Sequence, residues 1–382
     1  MKIKKIFSLL CKVDCVEFVY LRKKCFYVIS LFLLFVSSSC EEKETRMIVC
    51  WGDSLTAPHF SSSWKGKIKY LLFGDDSYPA VLQSKLGEGY NIVNAGVGGE
   101  NTLTIMARQG AYPMTLAHDV TIYRDENKSY DKFVGDRDIP AFYSSYNGKP
   151  VTPLLQLGWD EESPAKMNPC YIDGEEYVFI SDSHFWKEDG KYVFEYNYNI
   201  DSKKKILETK ILKKDTAIET YAMRHLRNAY ANVFFMGQNG GFKDVADLIV
   251  QYKAMIDYSR CDKYVIVGFH KPNPCIPTIT RMKEMEDSLQ QAFGNHYINL
   301  RDYMVKNGLK DAVLTPTNVD NDSISKEQVP PQLIPDGCHF TSEGYCLLAE
   351  LVRMKMVELG IYQIRNDMKG CYSCFRTCIS QL

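Results

Sequence analysis

Five short stretches of this chain are mostly apolar and rich in β-branched or aromatic residues. They are "MIVCW" (47–51), "YNIVNA" (90–95), "NVFFM" (232–236), "KYVIVGF" (263–269) and "HYINL" (296–300). A strand with one wet face alternates apolar and polar positions, so runs this continuous predict strands buried on both faces, as in a parallel sheet. Helical patterns lie between or after them: "YPAVLQSKLG" (78–87), "FKDVADLIVQYKAMIDYS" (242–259), "TITRMKEMEDSLQQAFG" (278–294) and "SEGYCLLAELVRMKMVELG" (342–360). In the second, Val245, Leu248, Ile249, Tyr252 and Ile256 share one face. Gly294 stands where a C-terminal cap is expected. Strands alternating with helices predict a doubly wound α/β sheet.

The alternation breaks between 111 and 219, a block rich in Tyr, Pro, Asp and Lys. Strand-like pieces such as "EYVFI" (176–180) and "KYVFEYNYNI" (191–200) are separated by Asp-Gly and Asn-Gly turn signals. A segment this long is not a loop within a compact domain, so it is read as a β-rich insertion with its own small core. Trp159, Trp186 and the tyrosines are either that core or an aromatic platform for sugar rings. The expected division is a leader at 1–40, an α/β domain in two parts at 41–110 and 220–363, the insertion at 111–219, and a cysteine-containing tail at 364–382.

Composition adds limits rather than chemistry. In 382 residues, 45% hydrophobic and 24% charged content describes an ordinary globular chain. A formal net charge of −1, with no basic stripe interleaved with aromatics, argues against nucleic acid as a partner. No internal repeat is evident.

The N-terminus has a character of its own. Arg22, Lys23 and Lys24 precede the apolar run "FYVISLFLLFV" (26–36), and "SSSC" then ends at Cys40. A positive flank, a short apolar core and small residues make a secretory signal. The run falls short of the ~20 apolar residues of a comfortable transmembrane span. Small residues directly before a cysteine resemble a bacterial lipoprotein signal, which would make Cys40 the lipidated first residue. Ser37 stands where that motif usually has Leu. The acidic tether Glu41–Glu44 after it is similar to runs that accompany export to the cell surface. The expected location is therefore outside the cytoplasm, on a lipid anchor at an outer membrane or cell surface. A plain signal peptide or an uncleaved amphipathic N-terminus is the alternative, leaving a periplasmic or secreted protein.

Of thirteen cysteines, Cys371, Cys374 and Cys378 form a CxxC-x₃-C cluster with no nearby His to complete a zinc site. Cys50, in a strand run, and Cys346, in a helical one, read as small buried apolar residues. No metal is expected.

In open α/β sheets ligands collect beyond the carboxyl ends of the strands. Past the first run come Gly52, Asp53 and Ser54; past the second "NAGVGGENT" (94–102); past the third "GQNGG" (237–241); past the fourth His270. "PDGCHFTSEGY" (335–345) stands before the last helix. Gly-Asp-Ser alone is ordinary turn vocabulary, with Ser54 capping the next helix. Together, however, these residue types complete an acyl-transfer kit. Ser54 needs a base, which His339 can be, and Asp336 can hold the other ring nitrogen. The backbone N–H groups of Ser54 and Gly99 and the side-chain amide of Asn239 can stabilise an oxyanion. His270 is a rival base without a carboxylate at short spacing. His59 suits a surface or pocket wall, and His118, His184 and His225 fall in or beside the insertion. "GVGG" lacks the third glycine of a dinucleotide loop, where Asn101 stands, and no acidic strand end is placed to bind ribose.

These motifs resemble those of the SGNH (GDSL) hydrolases, esterases and lipases on a flavodoxin-like three-layer α/β/α sandwich with a five-stranded parallel sheet. The resemblance covers about 46–110 and 225–360. It implies that Ser54 of Gly52-Asp53-Ser54 is the nucleophile and that Gly99 is the oxyanion glycine, with Gly98 matching after a one-residue slip. It also implies that Asn239 of Gly237-Gln238-Asn239 is the oxyanion amide, and that Asp336 and His339 form Asp-x-x-His. Gly240 replaces an Asp of the family pattern.

The expected function is hydrolysis of a carboxylic ester through an acyl-enzyme, with no cofactor, and the expected substrate is an O-acetylated carbohydrate. That substrate rests on location and family analogy. The alternatives are acyl transfer to a sugar hydroxyl, and a non-catalytic glycan-binding surface lipoprotein.

Overall fold

Strand β1 (Arg46–Gly52) pairs in parallel with β2 (Tyr90–Gly96) on one side and β3 (Ala231–Phe235) on the other. Beyond β3 lie β4 (Tyr264–Val267) and β5 (Tyr297–Ile298), also parallel, so the sheet order is β5-β4-β3-β1-β2. The chain is thus a mixed α/β protein built on a five-stranded parallel sheet. The computed structural model describes residues 45–58, 75–116, 119–125, 132–134, 142–146, 149–151, 169–181, 192–196 and 210–363. The leader with Cys40, the tether, His59, His118, Trp159, His184, Trp186 and the cysteine tail lie outside the described residues. Among the described residues, no helix is long and apolar enough to cross a membrane.

The uninterrupted apolar runs have the meaning expected of them. Ile48 and Cys50 point into one buried cluster, Val49 and Trp51 into the other, and Val233 and Phe234 divide the same way. On one face pack α1 (Tyr78–Leu86), through Leu82 and Leu86, and α5 (Ser342–Glu358), through Leu348, Val352 and Met356. On the other pack α2 (Thr102–Gln109), α3 (Val245–Ser259) and α4 (Ile279–Phe293), through Ile105, Tyr252 and Leu289 among others.

Local sequence sets the helix starts. The side chains of Asn101, Asp244, Thr278 and Thr341 each accept a backbone N–H from the first turn of α2, α3, α4 and α5. Helix α2 had no strong periodicity in the sequence reading, and it arises where Asn101 and Thr104 form a reciprocal capping box. The fifth strand is shorter than its run suggests, because Asn299 caps a turn of helix at Leu300–Tyr303.

The described residues between 111 and 219 are β-rich, in antiparallel pairs. A seven-stranded sheet includes Met114–Leu116, Cys170–Ile172, Glu175–Ser181, Tyr192–Tyr196 and Ala217–Glu219. Asp173 and Gly174, both at positive φ, make the tight turn between two of its strands. Its described buried residues join the core of the main sheet rather than a core of their own. Met114, Leu116, Ile172, Tyr177 and Ile218 belong to the same buried cluster as Trp51 and Ile105.

At the end of β1 the packing leaves room for glycine alone. A Cβ on Gly52 would sit 2.0 Å from Thr56 Oγ1 and 2.5 Å from the Phe235 carbonyl. Gly52→Ala should therefore destabilise the protein by about 1–3 kcal/mol, the usual cost of overpacking, read as a lower urea midpoint. An unchanged midpoint would show that the turn relaxes freely.

Candidate active site

The turn after β1 is held by Asp53. Its backbone carbonyl accepts the N–H groups of Thr56 (3.0 Å) and Ala57 (2.9 Å), and its carboxylate Oδ1 accepts that of Leu55 (2.9 Å). The side chain that organises this turn is therefore Asp53, and Ser54 is left half-buried with its hydroxyl available.

That hydroxyl meets His339. His339 Nε2 lies 3.0 Å from Ser54 Oγ, and Nδ1 lies 2.7 Å from Asp336 Oδ2. A carboxylate can only accept, so neutral His339 carries its proton on Nδ1 and presents a bare Nε2 to the serine O–H. The other carboxylate oxygen of Asp336 accepts the backbone N–H groups of Cys338 (2.8 Å) and His339 (2.6 Å), which closes the loop on itself. Partial burial pushes the Asp336 carboxyl up, but the His339 ring and the two backbone donors outweigh it and bring it down to about 2. Asp336 thus stays an anion at any working pH.

The loop carrying the pair is seated from below. Lys271 Nζ donates to the Gly337 carbonyl at 2.8 Å, and Phe340 packs against the ring of His270 with centroids 4.9 Å apart. His270 is 1% exposed and burial lowers its ring to about 3, so it is neutral and shut away from solvent. It lines a cavity of about 360 Å³ with Pro272, Ile334 and Gly337, and neither Ser54 nor His339 borders that space. The structure brings His339, and not His270, to Ser54.

The expected oxyanion donors come from three strand ends. The Val97 N–H bonds the Gly52 carbonyl at 3.0 Å, which ties the loop holding exposed Gly99 to the end of β1. Among the described residues, the N–H groups of Ser54 and Gly99 donate to no backbone or side-chain acceptor. Asn239 Nδ2 donates to the Glu100 carbonyl at 3.0 Å and lies 3.4 Å from Asp53 Oδ2. Asn239 therefore touches both the serine turn and the glycine loop. Gly240, where the family pattern has Asp, has φ +77° and forms the turn Gly240 N–H to Gly237 carbonyl. His225 ends a short helix, Tyr221–His225, with its ring against Tyr221.

Sequence reasoning missed the buried charges beside this site. Glu100 and Arg108, each with a 1% exposed side chain, pair in a fork with Arg108 Nη2 2.7 Å from the carboxylate, and the guanidinium lies over Trp51. The available signal was an arginine directly after the apolar stretch Ile105–Ala107. Asp53 is fully buried, and burial together with the Glu100 charge lifts its carboxyl to about 7 despite the Leu55 N–H. No cluster able to hold a metal ion occurs among the described residues.

No protein-family model matches this chain, and no curated protein or solved structure matches it either.

The Asp53 shift has a consequence for stability. A carboxyl that ionises near 4 in the unfolded chain and near 7 in the fold costs nothing below pH 4. Its cost grows as pH rises to 7 and then levels at up to roughly 4 kcal/mol. Relative to wild type, Asp53→Asn should therefore gain stability by a similar amount between pH 4 and pH 8 in urea unfolding. Parallel pH dependences for the two proteins would show that Asp53 ionises normally.

Proposed function

We propose that this protein is a serine-dependent carboxylic ester hydrolase of the SGNH (GDSL) type. The sheet order 2-1-3-4-5 with helices on both faces supports a flavodoxin-like three-layer sandwich for it. The observation that carries the activity is the unbroken chain Ser54 Oγ, His339 Nε2, His339 Nδ1, Asp336 Oδ2, at 3.0 and 2.7 Å. A buried strand end, a loop before the last helix and a third-strand turn converge there, and nothing in the core packing requires a serine to face a histidine.

In this reading Ser54 Oγ attacks the ester carbonyl carbon while its proton passes to His339 Nε2. The carbonyl electron pair moves onto oxygen, where the N–H groups of Ser54 and Gly99 and the amide of Asn239 stabilise it. Asp336, ionised throughout, stabilises the imidazolium. Collapse expels the alcohol, which takes the proton from His339, and leaves an acyl ester on Ser54. Water then attacks with His339 again as base, releasing the acid and restoring the serine.

The substrate class we propose is an O-acetyl group on carbohydrate. What supports it is the lipoprotein-type leader and the aromatic-rich block inserted between the oxyanion loop and β3. The proposed setting is the cell envelope, with Cys40 as the anchor.

Three variants test the reading against a short aryl ester and a fluorophosphonate that labels activated serines. Ser54→Ala should lose both turnover and labelling. His339→Ala should lose about 10⁴-fold or more in kcat, as triad members do. His270→Ala should keep its dependence on Ser54 and His339 even if burial makes it less stable. A His270 variant that is folded and inactive, beside an active His339 variant, would reverse the assignment.

A further inference from the structure

Asn239 has two amide hydrogens, and at rest both have an acceptor. One goes to the Glu100 carbonyl at 3.0 Å, and the other faces Asp53 Oδ2 at 3.4 Å. An oxyanion at Ser54 needs one of them. The Glu100 carbonyl is the shorter contact, and the buried ion pair between Glu100 and Arg108 holds that residue in place. The Asp53 contact is the longer and the easier to give up.

Resting on the esterase reading, we propose that Asp53 is a positioning residue that competes with the oxyanion for the second amide hydrogen of Asn239, and that a proton on Asp53 releases that hydrogen to the reaction. The competition follows from burial. Asp53 Oδ1 keeps the Leu55 N–H, but Oδ2 has Asn239 as its hydrogen-bond donor. An ionised Asp53 that gave up Asn239 would leave a fully buried carboxylate oxygen with no donor among the described residues, beside a second negative charge forming one residue away. A neutral Asp53 carries neither penalty. The proton comes from solvent and stays on Asp53, while the Ser54 proton goes to His339, so the covalent steps balance as before.

The surroundings suit such a group. Asp53 is lifted to about 7, first by burial and then by the charge of Glu100 across the loop. Tyr78 of α1, Tyr252 of α3 and Tyr345 of α5 lie close enough to feel its charge, and all three phenols are raised, chiefly by burial, and stay neutral. Arg108 pairs with Glu100 at 2.7 Å, and His339 faces the same serine.

The test is the kcat ratio of wild type to Asn239→Ala on 4-nitrophenyl acetate, from pH 5.5 to 9, with the same ratio measured in an Asp53→Asn background. Any pH dependence shared by the two enzymes cancels in the ratio. In wild type the ratio should be about 10²–10³ at low pH, the usual worth of one oxyanion donor. It should fall by about tenfold or more toward pH 9, with a midpoint near 7. With Asn at 53 the ratio should be flat. A flat ratio in wild type overturns the proposal, even if the Asp53 variant does not fold, and so does an equal slope in both backgrounds. Fluorophosphonate labelling of Ser54, read by intact mass, separates the two failures. Labelling with a flat ratio sinks the Asp53 role alone, whereas absence of both labelling and turnover removes the esterase reading and this proposal with it.

Discussion

The hydrogen bond between His339 Nε2 and Ser54 Oγ joins residues 285 positions apart, and it depends on where β1 lies in the sheet. β1 is flanked by β2 and β3, so the chain leaves it toward one side and returns on the other. Loops at the carboxyl ends of neighbouring strands open apart at such a place and leave a crevice. Ser54 occupies the end of β1, Gly99 follows β2 and Asn239 follows β3. The last helix packs under the sheet and delivers His339 from the loop before its first turn. Each residue is carried by a different element, and only the parallel register brings them together.

The carboxylates around the site divide by burial, and that division sorts their work. Asp336 is about half exposed, collects three donors and remains an anion, the state the proposed mechanism asks of it. Glu100 is buried and bears its charge against Arg108 in a closed pair. Asp53 is buried with no cation of its own among the described residues, and its carboxyl rises accordingly. Removing one partner of a buried pair leaves the other charge stranded, so Glu100 and Arg108 are tied to each other more strictly than either is to the reaction. The rigidity they lend reaches Asn239 through the Glu100 carbonyl.

Much of this was legible in the residues. All five apolar runs became strands of one sheet, and the four periodic segments became α1, α3, α4 and α5 within a few residues. That followed because burial on both faces leaves a continuous apolar signature. The motifs also point to Ser54, His339 and Asp336, and His339 stands between the other two, within hydrogen-bond reach of each. What it missed has physical reasons. Helix α2 is set by a capping box rather than by periodicity, and Thr102, Thr104, Arg108 and Gln109 are buried in it despite being polar. The Glu100–Arg108 pair spans eight positions and becomes visible only when the loop turns back over the helix. The merging of the insertion with the main core could not be read either, since contact between distant β segments leaves no local period.

That merging changes how the insertion relates to the site. Its first strand, Met114–Leu116, begins shortly after α2, and its last, Ala217–Glu219, runs antiparallel beside it. The next residue, Thr220, donates its hydroxyl to the Arg108 carbonyl at 2.7 Å, while Gln109 donates to the Met255 carbonyl of α3 at 3.0 Å. The first end of the block thus continues directly from the C-terminal turn of α2, its last end is hydrogen-bonded to that turn, and Gln109 ties the turn to α3. The same turn carries the guanidinium that holds Glu100, and the Glu100 carbonyl holds Asn239. A rigid path of short hydrogen bonds and one buried ion pair therefore runs from the insertion's two junctions to the amide beside Ser54. A block of this size hung on two flexible linkers would leave the site indifferent to it. Joined through α2 and sharing its apolar core, it is part of what sets the loop of Gly99 and Glu100 in place.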